Sequence, residues 1–173
     1  MTQPDPRVEA LFQKIAQENI QVHPLLWTAI YQHIGDPVIV INLLMHYYLE
    51  NNLPIPKEEA KTILKYTKRI EETIKKIASA KDIPEDEPDP LFREIYKKNL
   101  RLDPLTYELI VDRVRNDIMV IDLKVSRYLY PFNEEDKKEF ISKEDAQVVL
   151  RYTHSTLGFL DRLRQATAKK EAF

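Results

Sequence analysis

The chain has no cysteine among its 173 residues. Disulfides and thiolate metal sites are thereby excluded, and the absence fits a reducing compartment. Glycine is almost missing too, with only Gly35 and Gly158. Strand-rich folds draw on more turn residues than that. No apolar run approaches the roughly 20 residues of a bilayer-spanning helix; the longest, 37–45, is interrupted by Asn42. Met1-Thr2-Gln3-Pro4-Asp5-Pro6 lacks the basic segment and apolar stretch of a secretory signal. A net charge of -2 argues against a polyanion binder that works by bulk charge. A soluble, cytoplasmic, globular chain is expected.

Signatures of chemistry are missing as well. His23, His33, His46 and His154 form no pair at i, i+3 or i+4, and there is no His-Glu-x-x-His. Neither a G-x-S-x-G elbow nor a Gly-rich phosphate loop nor the Glu-x-x-His of bundle di-metal sites occurs. The carboxylates sit at helix starts and on charged faces, where capping and solvation account for them. The expectation is a non-enzyme with no metal and no cofactor.

What the chain does have is repetition. Residues 11–50 lie over 91–130 at a constant offset of 80, with 12 of the 40 positions identical. These include Leu11, Phe12, Ile15, Asn19, Pro24, Leu43 and Tyr48. Six extra residues later the match resumes, Leu64-Lys65-Tyr66-Thr67 answering Leu150-Arg151-Tyr152-Thr153. Such self-similarity predicts a duplicated architecture.

Proline marks the element starts, because it lacks an N–H and pre-sets the φ of a first helical turn. Asp5-Pro6, Asp36-Pro37, Asp89-Pro90 and Asp103-Pro104 each put a carboxylate cap ahead of such a proline, and His23-Pro24 puts a poorer one. Apolar spacing predicts helices over 6–19, 24–34, 37–51 and 56–80, then 90–99, 104–115, 117–130 and 143–168. Asn19 and Asn99 suit the left-handed residue that ends a helix. The predicted fold is all-α: two homologous four-helix units, a tandem internal repeat, over 1–80 and 90–173. An acidic, proline-containing linker, 81–89, joins them and reads as solvated. The inserted segment 131–141 reads as an exposed loop.

Positions alike in both units are expected to serve the common core. Positions apolar in only one have escaped that constraint. Leu44 and Tyr47 oppose Lys124 and Arg127, and with Val40 they form a second apolar stripe on the third helix. Val148, Tyr152 and Phe159 form another on the eighth. Left in water, each large side chain would forgo on the order of 1.5–3 kcal/mol. The halves cover these stripes, or a protein partner or second copy does.

A competing surface is basic. Lys61, Lys65, Lys68 and Lys75 lie near one face of the fourth helix; Arg162, Arg164, Lys169 and Lys170 end the eighth. Glutamates interleave with the lysines, the pattern of a salt-bridged solvated face. The leading expectation is a non-catalytic helical protein-interaction or regulatory adaptor. The alternative is a nucleic-acid-associated helical factor using those basic faces.

Overall fold

The computed structural model describes residues 5–168. It is predominantly helical, with six rods among those residues once two π turns are counted as continuations. Helix α1 spans Pro6–Gln17. Helix α2, Pro24–Ile30, runs through a π turn, Tyr31–Gly35, into α3, Asp36–Glu50. Helix α4 is Glu59–Ala78. After it come α5, Pro90–Lys97, and α6, Pro104–Ile110. A second π turn, Val111–Arg115, carries α6 into α7, Asn116–Ser126. The last helix, α8, is Lys143–Ala166.

The caps explain most of the starts. Asp5, Asp89 and Asp103 each accept the N–H two residues on, at 2.9 Å, and His23 does the same through Nδ1 at 3.1 Å. Asn19 and Asn99 both adopt φ 51°, and each is followed by a residue whose N–H returns to the carbonyl of residue 15 or 95. That bond pattern closes a helix end. Asp36 departs from the expectation: it caps nothing. Its φ and ψ are helical, and its N–H donates to the Tyr31 carbonyl five residues back. The wider π turn carries the helix through to Pro37 without a break. The second π turn lies 80 residues later, where Asn116-Asp117 replaces Asp36-Pro37, so proline is not its cause.

The rods pack across the midpoint of the chain. Helix α3 lies against α4 and α8, and α7 lies against the same two, so these four close a ring. Helix α1 covers α6 and part of α8, while α5 covers α2. Each short helix therefore shields the opposite half of the sequence. One continuous set of buried side chains results, including Ile15, Ile41 and Ile77 from the first half and Ile95, Ile121 and Leu163 from the second, all at 0% exposure.

Two polar contacts, one buried and one half-buried, cross between halves. The Asn42 amide on α3 donates to the Thr153 hydroxyl on α8 at 2.8 Å. The Thr67 hydroxyl on α4 donates to the Asp122 carboxylate on α7 at 2.5 Å. Asn42 and Asp122 are 80 residues apart, Thr67 and Thr153 are 86 apart, and the second contact repeats the first with the halves exchanged. A two-residue antiparallel ladder also crosses: β1, Ile55–Pro56, pairs with β2, Phe140–Ile141.

The segment 81–89 is less solvated than its composition implies. Ile83 is buried, and buried Glu87 accepts from Lys76 at 2.7 Å. The acid is retained there by its ion pair and the isoleucine by the core, which ties the connection down against α4.

Candidate functional site

The apolar stripe on α3 is rotated from its expected position. Its inner face is Val38, Ile41 and Met45, all fully buried. Leu44 is half-buried against the core, while Val40 and Tyr47 are exposed at 38% and 56%. The true outer ridge adds two residues, Ile39 at 42% and Leu43 at 61%. Ile39, Leu43 and Tyr47 recur at i, i+4 and i+8, one line along a helix. The exposed carboxylates of Asp36 and Glu50 bracket the line, and residues 37–49 between them hold no acidic, lysine or arginine residue.

Ile39 and Leu43 were concealed by the comparison of halves. Leu43 and Leu123 are identical and so read as core, yet they stand 61% and 70% exposed. Met119, opposite Ile39, is 48% exposed. The apolar surface of α7 continues into Tyr130 and Phe132, at 74% and 98%, above a groove of about 370 Å³ that also takes in Pro131 and Lys138.

The second expected stripe is largely internal. Phe159 is buried edge-on against Phe12 of α1, ring centroids 5.9 Å apart. Tyr152 is half-buried against the core, and Val148 is half-buried. Around Tyr152 and Phe159 opens a cleft of about 720 Å³, walled by α1, the second π turn with α7, and α8. Its aromatic floor is Phe12, Tyr152 and Phe159. On its polar rim the Arg113 guanidinium donates to the Ser155 hydroxyl at 3.2 Å, leaving its buried Nε without a partner. Asp117 accepts from Thr156 at 3.0 Å, and burial, partly offset by the Thr156 and Ser155 hydroxyls, raises its carboxyl above the ordinary range. Arg162 is held by both oxygens of Glu9, at 2.6 and 2.7 Å, and lies 3.9 Å over the Phe12 ring. The Glu9 carboxyl is held low by that guanidinium.

The basic residues divide. Lys61, Lys65, Lys68 and Lys75 on α4 are exposed, and among the described residues none forms an ion pair. The expected lysine–glutamate ladder is thus absent. Arg162 is spent on Glu9, and Arg164 lies 5.6 Å over the Tyr31 ring. Lys169 and Lys170 fall outside the described residues.

The histidines have structural partners that sequence spacing did not reveal. His46 and His154, from α3 and α8, meet edge-to-face at 5.8 Å. His33 accepts from Arg69 at 3.2 Å through Nδ1, while Nε2 lies 2.9 Å from Asp89. Burial, with Arg69 nearby, holds its pKa below the usual range. No group of three metal-ligating side chains occurs among the described residues, and no helix there is long and apolar enough to cross a membrane. No protein-family model, no curated protein and no solved structure matches this chain.

Proposed function

We propose that this chain is a non-catalytic helical adaptor whose α3 ridge receives an amphipathic helix from a protein partner. The observation that carries this reading is the exposed line Ile39–Leu43–Tyr47, free of charge along its length and closed by a carboxylate at each end. A helix with apolar residues at i, i+3/i+4 and i+7 and lysines at its ends complements both features. Contiguous exposed apolar surface of this kind marks interaction sites.

The same reading takes the chain as a duplicated pair of units, 1–80 and 90–173, related by a local twofold as in a homodimer. The exchanged pairs Asn42–Thr153 and Asp122–Thr67 support it, as do the two π turns 80 residues apart. Its core is then common to both copies; the ridge is apolar in both at Ile39/Met119 and Leu43/Leu123 and differs at Tyr47, opposite Arg127. The lack of cysteine supports placing it in the cytoplasm.

The test is fluorescence anisotropy with a labelled, lysine-flanked, leucine-faced helical peptide, beside light scattering of the protein alone. Wild type binds the peptide, and Leu43→Lys with Tyr47→Arg weakens binding by roughly tenfold or more at unchanged melting temperature. Equal binding by the variant overturns the proposal. So does a wild type that is already dimeric through this ridge, since a second copy would then be the occupant.

A second reading rests on the unpaired α4 lysines, which could neutralise phosphates. A salt titration against duplex and single-stranded DNA and RNA distinguishes it. Binding that falls steeply with salt and is lost in Lys61→Gln/Lys65→Gln/Lys68→Gln supports this reading, and no binding at low salt removes it.

A further inference from the structure

The geometry points to the cleft between α1, α7 and α8 as a binding site for a small organic anion: a phosphate or carboxylate carried on a planar apolar body. Two independent features single it out. The first is Gly158, in the middle of α8. Glycine there weakens the helix, and packing does not demand it, because a Cβ built on Gly158 would meet no heavy atom within 4 Å. The space it leaves belongs to the cleft. Eighty-six residues earlier, at the matching place on α4, stands Glu72.

The second feature is the balance of donors and acceptors. The cleft's three carboxylates are already engaged: Asp5 caps α1, Glu9 holds Arg162, and Asp117 accepts from Thr156. Its donors are not. Arg113 keeps a buried Nε without a partner, and exposed Arg151 makes no hydrogen bond or ion pair among the described residues. A site with acceptors spent and guanidinium donors to spare calls for an anion. The floor of Phe12, Tyr152 and Phe159 calls for a flat apolar body behind that charge.

The matching cleft of the first half is already filled. There Lys76 lies 4.6 Å over the Phe92 ring, as Arg162 lies over Phe12, but Glu87 and Asp89 reach in to Lys76 and His33. Asp89 is the counterpart of Glu9, so the carboxylate without a counterpart in the second half is Glu87, which stands opposite Arg7 and holds Lys76.

The test is calorimetric titration of the full chain with phenyl phosphate, benzoate and inorganic phosphate, repeated on Gly158→Leu and Arg151→Gln. Gly158→Leu sends a side chain into the cleft from a Cβ position that meets no heavy atom within 4 Å, and its fold is verified by circular dichroism. Saturable binding of phenyl phosphate or benzoate, roughly tenfold tighter than inorganic phosphate and weakened by roughly tenfold in each variant, supports the site. Preference for phenyl phosphate assigns a phosphate ligand, and preference for benzoate a carboxylate. The proposal fails if neither aromatic anion saturates below about 10 mM. It fails equally if Gly158→Leu binds as wild type does, or if inorganic phosphate binds as tightly as both.

Discussion

Single residues record how each half solved the same local problem. Asp122 and Asn42 stand at equivalent positions, and each meets a threonine on the opposite half. Asp122 carries a charge in that setting. Burial raises its carboxyl above the ordinary range; the Thr67 hydroxyl opposes the shift and Glu71 adds to it. The folded chain therefore holds this proton more tightly than the unfolded chain. Stability contributed by the protonated form is present at low pH and is lost as pH rises through the folded value. Asp122→Asn keeps an oxygen for Thr67 and removes the charge. It should raise the melting temperature at pH 7, and the gain should vanish below about pH 4, where the unfolded aspartate is itself protonated. Thermal melts across pH check this, and a lower melting point at pH 7 would contradict it. Thr106 offers a second case. It is fully buried with an unpartnered hydroxyl, in the place that Leu26 fills in the first half. Thr106→Val should stabilise by about 1 kcal/mol in urea melts, since an unpaired buried hydroxyl costs on that order. A loss of stability would mean that the hydroxyl has a partner.

At the scale of elements, the surface of α3 decides the functional reading. Leu43→Lys should change stability by no more than about 0.5 kcal/mol, because its side chain already lies in water. Leu44→Lys, one residue on, should cost about 2 kcal/mol or more, because it would push an ammonium against the core. Paired denaturant curves separate the two, and equal costs would mean that the ridge is misplaced. The helix starts were legible in sequence because proline and a preceding oxygen carry their own local instruction. The inner face of α3 was legible from its spacing. The ridge was not, because identity between halves does not imply burial: Leu43 and Leu123 are the same residue and both are exposed. The cap expected at Asp36 failed for a different reason: a π turn carries the helix across Pro37, and no local residue pattern distinguishes that from a fresh start. The cleft was hidden because its walls come from α1, α7 and α8, which lie far apart in the chain. Gly158 was the one sequence signal for it, a helix-weakening residue inside a long helical pattern.

At the scale of the whole molecule, the two halves of the sequence contribute to one core and cover each other. Helix α1 shields α6 and α8, α5 shields α2, and the ring of α3, α4, α7 and α8 alternates between halves. Each half on its own is therefore expected to lack a closed apolar interior. Fragments 1–83 and 84–173, expressed separately and followed by circular dichroism and sedimentation, test this most directly. Neither fragment should be a folded monomer, and mixing them in equal amounts should restore helix content and a single cooperative melt. Two fragments that each fold alone as monomers, with separate transitions that mixing leaves unchanged, would contradict it.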